Sequence, residues 1–88
     1  MARIFITGSA SGIGLETARQ LVAKGHMVAI HARDPERADE ARRSLPQAEA
    51  IAVADISTLA GIRSLARQID EFGPFDTVIH NEIGRAHV

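Results

Sequence analysis

ITGSASGIG, residues 6–14, places three glycines within seven positions: Gly8, Gly12 and Gly14. The apolar run Ile4-Phe5-Ile6 leads into it, and a helical-looking stretch, residues 15–24, leads out. A strand, a bare turn and a helix in that order suggest a phosphate cradle, because a helix N-terminus offers free N–H groups and the positive end of its dipole. Gly8 suits a tight left-handed conformation as the chain leaves the strand, Gly12 a close approach of backbone to a pyrophosphate, and Gly14 a close packing of helix on sheet. The spacing is G-x-x-x-G-x-G, which departs from the G-x-G-x-x-G dinucleotide fingerprint. It is not a Walker A loop either, since no lysine follows.

Outward from the turn, apolar runs alternate with helical periodicity. Strands are expected at residues 2–7, 27–31, 50–54 and 75–80. The first helix carries Gly14, Ala18, Leu21 and Val22 on one face and closes at Lys24-Gly25. Asp34-Pro35 starts a second helix as N-cap and first-turn proline; Ala38, Ala41 and Leu45 form its buried stripe and Pro46 ends it. Ser57 or Thr58 caps a third helix with Leu59, Ile62, Ala66 and Ile69 inward, and Gly73-Pro74 stops it. Strand and helix alternating over short connections call for a parallel sheet with right-handed crossovers. The fold expected is α/β, the N-terminal half of a Rossmann-like doubly wound sheet in strand order 3-2-1-4, with the glycine turn at the switch point.

Composition limits the function classes. The chain has 88 residues, 45% of them hydrophobic and 24% charged, with net charge -1, so nothing in its electrostatics favours nucleic acid or an anionic membrane. It has no cysteine, which excludes disulfides, thiolate metal sites and cysteine nucleophiles and suits a reducing compartment. The apolar run before Gly8 is too short for a signal-peptide core, and no stretch approaches the ~20 apolar residues of a membrane span. A cytoplasmic protein with small-molecule or protein partners is expected.

TGSASGIG, residues 7–14, resembles the T-G-x-x-x-G-I-G cofactor signature of the short-chain dehydrogenases/reductases. Three further stretches fall where that family would have them: HAR (His31 to Arg33) at the end of the second strand, DIS (Asp55 to Ser57) after the third, and His80-Asn81 at the end of the fourth. The resemblance runs nearly continuously over residues 1–81, expected to be one part of an NAD(P)-binding Rossmann domain. It implies a hydride transfer between a nicotinamide and a small carbonyl or alcohol substrate, in a complete enzyme that is a homo-oligomer.

It also implies a site. Ile13 would give a backbone N–H to the pyrophosphate and Ser11 a hydroxyl to the adenosine-side phosphate. Asp55 would accept from the adenine amino group with Ile56 beside the ring, and Asn81 resembles the second asparagine of the family's N-N-A-G segment. Where an acidic residue would bind the ribose of NAD, the chain has Ala32 followed by Arg33. A guanidinium pairs with a 2′-phosphate, so NADP is expected over NAD. His31 is a candidate for a second polar contact there.

The chain has no tyrosine, and Lys24 is its one lysine, so the family's Tyr-x-x-x-Lys pair is not within it. No catalytic residue is expected, and no metal site from its four histidines. A non-catalytic nucleotide-binding or regulatory module is therefore the alternative. A flavodoxin-like receiver ranks below both, because the glycine turn stands where its acidic cluster would be. After Asn81 the family would continue Ala-Gly, whereas this chain reads EIGRAHV, residues 82–88. That segment back-translates as GAG ATC GGA AGA GCA CAC GTC, which resembles a sequencing-adaptor read. A non-native tail is expected, testable by sequencing the source DNA through codon 81, and Glu82, Arg85 and His87 receive no role. With the fourth strand left as an open edge, marginal stability is also expected.

Overall fold

The computed structural model describes residues 1–81, so the expected tail at 82–88 lies outside the described residues. Four strands and three helices alternate: β1 (Arg3–Ile6), α1 (Gly12–Ala23), β2 (Met27–Ala32), α2 (Pro35–Ser44), β3 (Ala50–Val53), α3 (Leu59–Phe72) and β4 (Thr77–Ile79). All pairings are parallel and the sheet order is β3-β2-β1-β4. Ile6 stands beside both Ile30 of β2 and Ile79 of β4, and Ala32 beside Val53 of β3. β1 and β4 therefore end level with each other, two residues short of the ends of β2 and β3, and the turn leaving β1 sits between β2 and β4.

Period-two alternation separates two cores. Ile4 and Ile6 of β1 with Val28 and Ile30 of β2 face α1 and α2, where Ala18, Ala41 and Leu45 close the cluster. Phe5, Ala29, Ala52 and Ala54 face the other way, under Leu65 of α3. Small residues on that second face let α3 approach, while Phe5 fills the remaining volume with Phe75, their ring centres 5.5 Å apart.

The helix ends follow local chemistry. Asp34 caps α2 by accepting the Arg37 N–H at 2.8 Å, Pro35 and Glu36 occupy its first turn, and Arg42 and Arg43 complement its C-terminal dipole. Thr58 caps α3 through the Gly61 N–H at 2.9 Å. Ser11 occupies the same place before α1, but its side chain makes no capping bond.

One expected stripe is rotated. Leu59 and Ile62 of α3 are exposed, at 62% and 50%, and Ala66 is exposed too, while Leu65 is buried with Ile69 and Phe72 packed alongside. The cause is Gln68. Its amide nitrogen donates to the Val53 carbonyl at 2.9 Å and its oxygen accepts the Val53 N–H at 3.0 Å. The side chain thus pairs with edge strand β3 as a neighbouring strand's peptide would, and turns α3 so that a polar residue faces the sheet.

The opposite end of the sheet is held by Arg3. Its guanidinium donates to both carboxylate oxygens of Glu49 and to the carbonyls of Pro74 and Phe72, and lies 4.8 Å over the Phe75 ring. The hydrogen bonds it donates to Glu49 hold its pKa above the ordinary arginine value. The Asp76 side chain accepts the Arg3 N–H and its own N–H donates to the Arg3 carbonyl, just before β4 begins at Thr77. Beyond it, Val78 is 43% exposed on the free edge, beside a groove lined by Ile69, Pro74 and Phe75. Among the described residues, no helix is long and apolar enough to cross a membrane.

Candidate functional site

The turn after β1 is set by its glycines. Gly8 has φ +61° and Gly12 φ +62°, a region in which a side chain is strained. Helix α1 begins at Gly12, three residues before the expected start, so the left-handed residue leads directly into its first turn. Apart from its chain neighbours and the backbone of its own helix turn, no described atom lies within 4 Å of where a Cβ on Gly12 would sit, which leaves its outer side open. Gly14 is enclosed: a Cβ there would lie 2.5 Å from the Gly8 carbonyl oxygen and 2.9 Å from the Ser9 Cα, and against the Asn81 side-chain amide. The close packing expected of Gly14 is therefore against the turn and the end of β4.

Asn81 is braced to that turn twice. Its backbone N–H donates to the Thr7 hydroxyl at 3.1 Å, and its side-chain amide donates to the Gly8 carbonyl at 3.1 Å. With the Ser11 side chain free, the first N–H groups of α1 face outward with no side-chain cap and no acidic residue in the first turn. Ile13 is 74% exposed at this end. An unclosed helix N-terminus behind an open glycine suits an anion.

Arg33 and Asp55 follow β2 and β3 at the same end of the sheet. Ala32 is buried, so β2 ends on a small apolar residue and Arg33 is the first exposed side chain after it. Among the described residues Arg33 makes no salt bridge. Neighbouring Asp34 is engaged by Arg37, whose guanidinium lies 2.7 Å from its Oδ2. The Asp55 Oδ1 accepts the Ser57 hydroxyl at 2.6 Å and the Ser57 N–H at 3.0 Å, leaving Oδ2 without a hydrogen bond among the described residues. The Ser57 bonds, hydroxyl first, hold the Asp55 carboxyl below the usual carboxylate range against an opposing cost of burial, with the Arg33 charge adding a lesser contribution. Ile56 is half-buried against the α3-side core.

His31 does not join Arg33 on the surface. The residue is 2% exposed, and both ring nitrogens are taken: Nδ1 by the Gly8 N–H at 2.9 Å and Nε2 by the Ala54 carbonyl at 2.8 Å. The second polar contact expected of it is ruled out by that burial. Thr7, Ser9 and His31 are the supporting residues that sequence reasoning missed in this role; HAR at a strand end marked a polar position but not its direction.

The structure thus gathers Gly8, Ser11, Gly12, Ile13, Gly14, Arg33, Asp55, Ile56 and Asn81 at the C-terminal ends of four adjacent strands. A family model described as short chain dehydrogenase matches residues 2–84. Short-chain dehydrogenase chry4 of Gibberella zeae is 51% identical over 81 residues, covering 92% of this chain and 31% of that protein. An uncharacterized oxidoreductase of Emericella nidulans is 49% identical over 81 residues, covering 92% and 32% respectively. Among solved structures, L-sorbose reductase from Gluconobacter frateurii, complexed with NADPH and L-sorbose, superposes with a TM-score of 0.78 at 30% identity, over 98% of this chain and 34% of that one. The chain spans about a third of the length of the curated relatives it matches. Its glycine turn, its sheet order and the family model agree, and the chain belongs to the short-chain dehydrogenases.

Proposed function

We propose that the chain binds NADP, as the adenosine-side cofactor site of an NADP-dependent oxidoreductase that acts on a small carbonyl or alcohol. One observation carries this reading: α1 alone of the three described helices has a cap residue whose side chain leaves the helix end open, and that end lies at the same end of the sheet as exposed Arg33. The pyrophosphate falls to the N–H of Ile13 across the open side of Gly12, with the Ser11 hydroxyl on the adenosine-side phosphate. Arg33 takes the 2′-phosphate as a charge-assisted pair. The free Oδ2 of Asp55 accepts from the adenine amino group, with Ile56 against the ring. Asn81 holds Gly8 in place behind the phosphates.

When bound, the nicotinamide supplies the hydride chemistry. The chain's own residues bind and orient; none is assigned a catalytic role, as the chain has no tyrosine for the family's proton-transfer pair. The relatives' names support an oxidoreductase, and the NADPH complex of L-sorbose reductase supports the cofactor.

Calorimetric titration with adenosine 2′,5′-bisphosphate and with AMP tests the reading. The 2′-phosphate is expected to tighten binding roughly 10–100-fold, the range of one charge-assisted contact. Equal affinities would replace NADP by NAD. Binding of neither, nor of the intact dinucleotides, would refute the cofactor site.

A further inference from the structure

His31 is a buried titratable side chain that the cofactor reading leaves unused. The Gly8 N–H can only donate, so the Nδ1 it reaches is bare. The Ala54 carbonyl can only accept, so the Nε2 facing it carries the hydrogen. One tautomer satisfies both. The backbone on either side joins in: the His31 N–H donates to the Ser9 hydroxyl at 2.8 Å, the Ser9 N–H donates to the His31 carbonyl at 3.1 Å, and the Ser9 hydroxyl donates to the Ile6 carbonyl at 2.6 Å.

β1 and β3 do not touch as strands, since β2 lies between them. The imidazole nevertheless reaches from the residue after Thr7 to the residue after Val53. Gly8 has no side chain to set its conformation, and at φ +61° its peptide groups are oriented by their hydrogen bonds, the N–H by His31 and the carbonyl by Asn81. An apolar residue of similar size would fill the space of the ring and leave the half-buried Gly8 N–H and the buried Ala54 carbonyl unpaired.

We propose that His31 is a positioning residue of the dinucleotide site: its Nε2–H imidazole orients the phosphate turn at Gly8 and anchors it to the end of β3. This rests on the cofactor reading above. It acts through Gly8 and does not touch the cofactor.

The first test needs no ligand. Long-range proton–nitrogen NMR of the chain at neutral pH is expected to show His31 with a bare Nδ1 and a protonated Nε2, and a slowly exchanging Gly8 amide; the opposite tautomer or an imidazolium would overturn the proposal. The second compares His31→Leu with His31→Asn, whose Oδ1 can replace Nδ1 as acceptor for Gly8. For adenosine 2′,5′-bisphosphate, the leucine variant is expected to lose about tenfold in affinity and the asparagine variant to recover most of it. Adenosine 2′-monophosphate lacks the 5′-phosphate that faces the turn and is expected to change less than about twofold. Equal losses for both ligands, or an asparagine variant no better than leucine at matched thermal stability, would reduce His31 to a structural residue. If the unsubstituted chain binds neither ligand while the NMR result holds, the cofactor reading fails and the anchoring of Gly8 stands.

Discussion

Replacing Gly14 by alanine sets two effects against each other, and the structure decides between them. Helix propensity favours alanine inside α1 by about 1 kcal/mol. The new methyl, however, would stand 2.5 Å from the Gly8 carbonyl oxygen and 2.9 Å from the Ser9 Cα, both backbone atoms of a turn already fixed by hydrogen bonds. Overpacking of this kind costs about 1–3 kcal/mol. Displacing Asn81 also strains its 3.1 Å bond to Gly8, worth about 1 kcal/mol. The net expectation is destabilisation by about 2 kcal/mol, or a fall in Tm of about 8–16 °C for a chain of this size. Thermal unfolding followed by circular dichroism measures it, with binding of adenosine 2′,5′-bisphosphate weakened in parallel. Removing the amide in a Gly14→Ala, Asn81→Ala double variant should recover part of the loss, because the two sites share atoms. A Gly14→Ala chain as stable as the parent would refute the close-packing argument.

Three further outcomes are expected. Arg33→Gln should weaken binding of the 2′-phosphorylated ligand roughly 10–100-fold and change Tm little, since the side chain is exposed, makes no salt bridge among the described residues and is the least of the influences on Asp34 and Asp55; calorimetry with paired unfolding curves checks both halves. Gln68→Leu improves the apolar match of α3 to the core yet should destabilise by about 1–3 kcal/mol in urea unfolding, because it strips both bonds from Val53; a gain in stability would show that the edge pairing contributes nothing. Asp34 and Asp55 both titrate below their ordinary values, the first chiefly through the Arg37 N–H and the second through Ser57, so the unfolded chain binds more protons than the folded one. Their stabilisation is present above the unfolded carboxylate value of about 4 and is lost as pH falls through the folded values; Tm recorded from pH 6 to 2 should drop less steeply in Asp34→Asn and Asp55→Asn chains.

The alternation of strands and helices was legible because each signal is local. Ile4-Phe5-Ile6, the cap and proline at Asp34-Pro35, and the stop at Gly73-Pro74 act within a few residues of chain. Parallel strands joined by right-handed crossovers then leave few topologies, and 3-2-1-4 is the one formed. The turn was legible for the same reason at Gly8, where glycine tolerates the left-handed conformation; that Gly12 adopts it too is seen only in the structure.

What periodicity misread is the inward face of α3. Counting apolar residues places Leu59, Ile62 and Ala66 inward, but the face is chosen by Gln68, whose partner Val53 is 15 residues away and is open only because β3 is an edge. His31 escaped for a like reason: nothing near it in sequence shows that Gly8, 23 residues earlier, and Ala54, 23 later, both point at its ring. Arg3 engages a carbonyl 69 residues on. The sequence by itself therefore determined the order of elements, the bare turn and the residues exposed beside it, because backbone preference and burial act locally. Tertiary structure alone decided which polar side chains turn inward, because a buried hydrogen bond depends on a partner that only the folded sheet brings within 3 Å.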